Sequence, residues 1–145
     1  MMLKASIQHS DLASEELGEL EAERAYQRLA AIDWPEELRQ FCERFVQKDP
    51  VCPPGFYLAR AGNEHMACHP ASEGRFVLSI WVRRRTGLLF WRKRKQFALM
   101  PAAPGKVREL IAMFATADSP ELMQALSREP QLDKGVVNWS LPIRL

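Results

Sequence analysis

Two histidines and a cysteine in the segment "HMACH" are the side chains of this chain best suited to metal binding. They are His65, Cys68 and His69, and Cys52 lies upstream of them. Neutral imidazole and thiolate are good zinc ligands, and four of them complete a tetrahedral site. On a strand, however, successive side chains alternate between faces, so His65 and His69 share one face and Cys68 takes the other. The paired-knuckle spacing is also missing, so the segment predicts a half-buried strand with no metal or cofactor.

Nucleophilic catalysis is the second chemistry that these side chains allow. A Cys–His pair can be drawn from Cys52 or Cys68 with His65 or His69, but the sequence places no third group to orient it. The chain contains no G-x-S-x-G elbow, no G-x-x-x-x-G-K-[ST] phosphate loop and no G-x-G-x-x-G turn. These patterns favour a protein that is not an enzyme and has no catalytic residues.

Two further patterns have weaker links to chemistry. Gly105 and Lys106 precede an apolar periodic segment, where the N–H groups of a helix start could hold an anion. One glycine and one lysine are more typical of a plain loop-to-helix junction. The acidic run from Glu15 to Glu23 has the composition of a solvated helix face, whereas acid–base catalysis needs carboxylates in a water-poor pocket.

The segment "WVRRRTGLLFWRKRKQF", residues 81–97, is the strongest surface signal in the chain. It combines seven basic side chains with two tryptophans and two phenylalanines. Alternation along both arms predicts a hairpin with an apolar base and a basic tip, because so many cations cannot be desolvated in a core. The predicted partner-binding residues are Arg83, Arg84, Arg85, Trp91, Arg92, Lys93, Arg94 and Lys95, and Trp81 is left open between core and contact.

Charge is unevenly distributed along the chain. Residues 1–50 carry 11 acids and 6 bases, whereas residues 51–145 carry 7 acids and 14 bases. The length of 145 residues suits one domain, and no apolar run approaches the roughly 18 residues of a membrane span. Three irregularly spaced cysteines are a poor disulfide framework, so we expect reduced thiols and a cytoplasmic protein.

Helical patterns bracket the middle of the chain. Residues 14–32 are rich in Ala, Leu, Glu and Arg and predict a first helix with Ser14 as a possible N-cap. Residues 33–50 predict a second helix with one buried face, formed by Leu38, Phe41, Cys42, Phe45 and Val46. Residues 103–117 and 119–130 predict two more, with Ser119 as N-cap of the last.

Strand patterns occupy the region between these helices. Residues 56–60 and 65–69 read as short strands joined by "AGNE", and residues 75–85 and 88–100 read as two longer ones. On the first long strand, the apolar alternation predicts a core face made by Phe76, Leu78, Ile80 and Val82. The tail "GVVNWSLPIRL" predicts an edge strand or an extended arm, since Pro142 argues against a central position.

Together these elements predict a single α+β domain, an antiparallel meander of about four strands packed against about four helices. Its parts are an acidic helical part at 10–49, strands at 56–100, helices at 105–128 and a C-terminal extended segment at 136–145.

The function predicted from these features is binding of a protein partner. Arg and Trp are favoured interface anchors, and a compact basic patch beside acidic helices suits a protein better than a long polyanion. The concrete form is an immunity- or antitoxin-type inhibitor of a partner toxin or effector, with either the basic hairpin or the acidic helices as contact face. The alternative is a nucleic-acid-binding accessory protein that uses the hairpin at 81–97. A solvated hairpin that discourages edge pairing is the plainest interpretation.

Overall fold

The predicted meander is present, and two further strands precede it. The computed structural model describes residues 1–84 and 93–132. Within them the strands are β1 (Leu3–Gln8), β2 (Ser14–Leu20), β3 (Gly55–Arg60), β4 (Glu64–Pro70), β5 (Phe76–Arg84) and β6 (Lys93–Ala102). They form one sheet in the order β2-β1-β3-β4-β5-β6, with every neighbouring pair antiparallel. The predicted count of about four strands is therefore too low.

Four α-helices and one short 3-10 turn accompany the sheet in the described ranges. The helices are α1 (Ala22–Ala30), α2 (Trp34–Gln47), α3 (Pro104–Thr116) and α4 (Ser119–Leu126), and the 3-10 turn is Ser72–Gly74. Asp33 caps α2 by accepting a hydrogen bond from the Glu36 amide, and Lys48 ends it in the left-handed conformation. The chain is a single α+β domain, as the sequence predicts.

Residues 14–20 form a strand, where the sequence predicts the start of the first helix. This segment pairs with β1, whose Leu3, Ala5 and Ile7 alternate into the core. A bulge places Leu17 as an extra residue, and Gly18 there has a φ of +75°. The helix-forming acids are overridden because the strand gains a hydrogen-bonded partner and leaves its carboxylates in water at the sheet edge.

The core lies between one face of the sheet and the helices. Its sheet side includes the predicted face of β5, since Phe76, Leu78, Ile80 and Val82 are all at most 5% exposed. Its helical side comes mainly from the buried residues of α1, α3 and α4. We call the face of the sheet turned away from this core the outer face.

The buried face predicted for α2 is only partly correct. Trp34 and Phe41 are buried, and the Trp34 ring packs edge-on against Phe76. Phe45 and Val46, however, are 61% and 67% exposed. The last turns of α2 therefore extend beyond the core, and their apolar side chains lie at the surface.

The chain returns to the sheet after α4. Gln131 forms a bridge with Leu99 of β6, and the Leu132 amide donates to the Ala98 carbonyl. The extended segment predicted at 136–145 lies outside the described residues.

Candidate functional site

Four basic side chains lie together at one end of the β5–β6 pair. Arg83 is directly opposite Arg94 in the register of the two strands. Arg84 follows Arg83 on β5, and Lys95 follows Arg94 on β6. Directly opposed residues of an antiparallel pair share a face and neighbours in sequence alternate. Arg83 and Arg94 therefore lie on the outer face, while Arg84 and Lys95 lie on the side of the helices. We call these four residues the basic end.

Trp81 belongs to the outer face as well, which settles the question that its sequence left open. It lies opposite His65 on one side and Gln96 on the other, and it is partly exposed. Its indole therefore does not belong to the buried core. The Arg83–Arg94 pair is the next pair along the same face, so a large aromatic side chain borders two guanidinium groups.

The β3–β4 turn forms a wall beside the arginine pair. Gly62, Asn63, Arg83 and Arg94 line a cleft of about 230 Å³. Gly62 and Asn63 have φ of +84° and +58°, as the sequence predicts for a tight turn. A Cβ on Gly62 would lie 3.5 Å from Nη1 of Arg83, so the guanidinium rests against the turn backbone.

The helix side of the basic end faces a different cleft. This cleft has a volume of about 660 Å³ and lies where β5 meets the start of α4, with Arg84, Asp118 and Met123 among its lining residues. Lys95 has its ammonium 4.8 Å from the centroid of the Phe97 ring. Arg84 therefore shares a cleft with a carboxylate, as Arg83 also does, and Lys95 lies beside an aromatic ring.

No ion pair neutralises the basic end within residues 1–84 and 93–132. Elsewhere in those ranges, cations such as Arg28, Arg39 and Arg108 lie within 4 Å of carboxylates. Arg83 and Arg94 instead oppose each other, an arrangement that lowers the stability of an antiparallel pair. Within the described part of the chain, the positive charge of the basic end is thus not paired with a carboxylate.

Glu64, which accepts a hydrogen bond from the Arg83 amide, is already engaged through both carboxylate oxygens. Its Oε2 accepts from Nε of Arg60 at 2.6 Å, and its Oε1 accepts from the Ser119 hydroxyl at 2.6 Å and the Arg83 amide at 2.8 Å. Burial alone would raise the pKa of this carboxyl, but these hydrogen bonds outweigh it and hold the pKa below its usual range. The buried Glu64 carboxylate therefore holds the Arg83 backbone in place through the hydrogen bond from its amide.

The position of Ser119 differs from the prediction. The N-cap of α4 is Asp118, whose side chain accepts from the Glu121 amide while Glu121 bonds back in a capping box. Ser119 is the first residue of the helix, and its hydroxyl is directed at Glu64. The sequence analysis did not consider Asp118, and spacing alone does not separate it from Ser119, because an acid and a hydroxyl are both good caps.

Part of the predicted partner-binding set lies outside the described residues. This holds for Arg85, Trp91 and Arg92 and for the side chain of Lys93. The structure therefore brings together Arg83, Arg84, Arg94 and Lys95 from that set.

The candidate zinc and thiol residues do not form one cluster. Cys68 is fully buried on the core face, where burial raises the pKa of its thiol. His65 and His69 lie on the outer face, and Nδ1 of His69 bonds the Pro54 carbonyl at 3.0 Å. The Cys52 thiol donates to the His9 carbonyl at 3.1 Å. In the described part of the chain, no three His, Cys, Asp or Glu side chains are grouped to hold a metal.

A histidine–carboxylate pair that sequence reasoning missed lies at the other end of the sheet. Nδ1 of His9 and Oε1 of Glu37 are 2.7 Å apart, which joins the end of β1 to the start of α2. The hydrogen bond to Glu37 raises the pKa of His9, against the lowering effect of burial. Since 28 residues separate the two, no local pattern could have found the pair.

Lys106, for which the sequence favoured a plain loop-to-helix junction over an anion site, has its charge satisfied internally. Its ammonium lies 3.1 Å from carboxylate oxygens of both Glu109 and Glu129. The structure therefore gives no support to an anion site at the start of α3.

An apolar cleft of about 370 Å³ opens between α1, α2 and the 3-10 turn. Leu29, Trp34, Leu38 and Phe76 contribute to its walls, with Arg75 at the same site. Its composition is that of a pocket for an apolar group.

Acidic side chains gather at the sheet edge opposite the basic end. Glu15, Glu16 and Glu19 are exposed on β2, and β2 and β6 are the outermost strands of the sheet order. Five strand spacings separate them, roughly 24 Å. Part of the charge division seen along the sequence is therefore a division across the sheet, because three acids predicted on the first helix lie on an edge strand.

None of the helices within the described ranges is both long and apolar enough to cross a membrane. A scan of protein-family models and searches of curated proteins and of solved structures find no significant match to the chain.

Proposed function

We propose that this protein is a non-enzymatic binding domain that docks onto an acidic surface of another protein through its basic end. The described contacts are Arg83, Arg84, Arg94 and Lys95. The sequence adds Arg85, Trp91, Arg92 and Lys93 as expected members of the same surface.

The observation that carries the proposal is the unneutralised Arg83–Arg94 pair. Two guanidinium groups opposed across β5 and β6 repel each other, and Glu64, which bonds the Arg83 backbone, is paired with Arg60. A carboxylate from outside would remove this repulsion and form charge-assisted hydrogen bonds to both groups. The free protein thus contains a repulsion between two guanidinium groups that an anionic ligand would relieve, as is expected of a binding site.

Three observations favour an acidic protein over a nucleic acid as the partner. The cations are divided between both faces of the β5–β6 pair, so no single face of the described residues presents them all to one strand of phosphates. On the outer face the neighbour of the arginine pair is Trp81, and Trp and Arg are both enriched in protein-interface hot spots. The acidic edge at β2 would also repel a long polyanion.

In its most concrete form, the proposal is an immunity- or antitoxin-type inhibitor that works in the cytoplasm. An inhibitor of this class acts by covering a site on its partner, so binding alone suffices. Cys42, Cys52 and Cys68 are free, as is usual for cytoplasmic proteins.

Affinity capture from the native host with two matched variants tests the binding proposal. One variant removes the basic end (R83Q, R84Q, R94Q and K95Q), and the control removes four cations elsewhere (R24Q, R28Q, R39Q and K48Q). We expect wild type and control to capture the same acidic protein, with capture lost in the basic-end variant and weakened by salt. Equal capture by both variants, or no specific capture by wild type, would contradict the proposal.

The inhibitor form and the nucleic-acid alternative each need a separate measurement. Expression of the captured protein in a heterologous cell should slow growth, and coexpression of this chain should restore it. A harmless captured protein would reject the inhibitor form. Salt-dependent binding of wild type to a 20-nucleotide single strand, lost in the basic-end variant, would favour the nucleic-acid alternative.

A further inference from the structure

We propose that Arg83 and Arg94 form a receptor for a single carboxylate, which an acidic segment of the partner inserts beside Trp81. This inference rests on the proposed function and names the chemistry of its central contact. The helix-side cations Arg84 and Lys95 then contribute to the electrostatic field but do not form the specific contact.

The geometry of the outer face suits an oxyanion. Directly opposed residues of an antiparallel pair have Cα atoms about 4.5–5.5 Å apart, so the two guanidinium groups can reach one ligand. Each presents several N–H donors in a planar fork that matches a carboxylate. The adjoining cleft of about 230 Å³ is large enough for a carboxylate and its last methylene groups.

The β3–β4 turn lines one side of this cleft without filling it. Gly62 has a φ of +84° and no side chain, so its backbone lies against the Arg83 guanidinium without filling the space. Arg83 is partly buried while Arg94 is exposed. One guanidinium is therefore held against the protein, and the other is free to close over a ligand.

Among the described residues, no carboxylate of the protein itself is bound to the Arg83 and Arg94 guanidinium groups. Oε2 of Glu64 bonds Arg60, and its Oε1 bonds the Arg83 backbone and not the guanidinium. Asp118 lines a separate cleft on the helix side, together with both Arg83 and Arg84, and not the cleft that Arg83 shares with Arg94. Of these two clefts, the one on the outer face therefore has no carboxylate among its described lining residues.

The surroundings of the pair select a carboxylate on a protein over a phosphate chain. Along the outer face, the row next to the arginines consists of His65, Trp81 and Gln96, none of which is a fixed cation. A nucleic acid would find two described cations here and then an aromatic, uncharged surface. An acidic residue followed by an apolar one would meet the arginines and the Trp81 ring together.

Peptide titration followed by NMR tests the receptor. The probe is an acetylated and amidated peptide, Glu-Leu-Glu-Leu-Glu-Leu, and its controls are the Gln-for-Glu peptide and inorganic phosphate. We expect the acidic peptide to shift the Arg Nε–Hε signals and the amides of Gly62 and Asn63. Equal binding of the Gln peptide, or tighter binding of phosphate, would overturn the carboxylate assignment.

Two double variants with the same charge change separate the faces. R83Q/R94Q removes the outer-face pair, and R84Q/K95Q removes the helix-side cations from the same strands. We expect affinity for the acidic peptide and for the captured partner to fall about tenfold or more in the first and less than about threefold in the second. R83K/R94K, which retains charge without the planar fork, should lose most of the affinity.

The outcomes distinguish this inference from the proposed function. Equal weakening by the two double variants, or full binding by R83K/R94K, would overturn the receptor while the binding function stands. Failure of wild type to bind both the peptide and any host protein would overturn both. Thermal unfolding of each variant shows whether a loss of binding comes from misfolding. If R83Q/R94Q is misfolded, the single variant Arg94→Gln, at an exposed position, replaces it. That single variant must then weaken binding of the acidic peptide.

Discussion

The guanidinium of Arg60 and the carboxylate of Glu64 form an ion pair in which each side chain is only 3% exposed. Arg60 also donates to two backbone carbonyls at the end of α3, and its guanidinium lies 4.9 Å from the centroid of the Phe114 ring. The pair thereby ties the β3–β4 hairpin to the C-terminal helices. Through the Arg83 amide it also fixes the strand that carries the candidate receptor.

Replacement of Glu64 by Gln should strongly destabilise the protein. The variant leaves the Arg60 charge buried without a counterion, which costs about 3–5 kcal/mol of unfolding free energy. Urea denaturation measures the loss. Glu43→Gln, which removes one carboxylate from an exposed pair with Arg39, is the control and should have little effect. A loss for Glu64→Gln no larger than the control's would contradict the role of the buried pair.

Stability should also fall in acid because of Glu64. The pKa of its carboxyl is lowered in the folded state, since its hydrogen bonds outweigh the effect of burial. Its contribution is thus complete above the unfolded value of about 4.3 and is lost as the pH falls through the folded pKa. Ser119→Ala removes one of those bonds and should move the acid limb of the Tm–pH curve to higher pH. An unshifted acid limb would show that the hydroxyl does not stabilise the charged form.

His9 predicts a pH dependence of opposite sign. The bond to Glu37 raises its pKa in the folded state, so its contribution is complete below the unfolded value of about 6.5 and is lost as the pH rises through the folded pKa. The difference in unfolding free energy between wild type and Glu37→Gln should be largest near pH 5.5 and shrink above pH 7. Both proteins contain His69, whose pKa burial lowers, so its effect cancels in the difference. A difference that does not change with pH would contradict the pairing.

Alternation of side chains was the reliable signal in the sequence. It predicted β5 and its buried face, because Phe76, Leu78 and Ile80 pack against helices while their neighbours do not. It also predicted that cations would appear on both faces near the end of the hairpin, as Arg83 and Arg84 do. Local pattern suffices there because the apolar face of the strand is fully buried, whereas Val77, Trp81 and Arg83 on the other face are partly exposed.

Composition was the misleading signal. Ser14–Leu20 has the acids and leucines of a helix, but its conformation is set by pairing with β1, a tertiary interaction that composition does not contain. The partners Arg60–Glu64 and His9–Glu37 illustrate two further limits. Arg60 and Glu64 are close in sequence, but nothing in the sequence indicates that the pair is buried. His9 and Glu37 are 28 residues apart, so no local pattern joins them.

The apolar stripe of α2 leads to a stability prediction. Phe41 is 4% exposed and Phe45 is 61% exposed, although the sequence placed both on a buried face. Phe41→Ala should cost about 3–5 kcal/mol, whereas Phe45→Ala should cost less than about 1 kcal/mol, most of it from the stacked contact between the two rings. Chemical denaturation of both variants measures the contrast. Similar losses would mean that the end of α2 is covered in solution.

Replacement of Arg94 by Gln should stabilise the free protein while it weakens partner binding. The substitution removes one of two like charges opposed across β5 and β6, a repulsion worth about 0.2–1 kcal/mol. The gain should shrink as salt rises, because both groups are accessible enough to be screened. Arg39→Gln, which breaks exposed ion pairs with Glu36 and Glu43, is the matched control and should give no such gain. If urea denaturation at low salt shows Arg94→Gln to be destabilising, the pair already has an internal anion, and the argument for an external carboxylate fails. A gain in stability together with lost binding is expected when residues are retained for function at the expense of the fold.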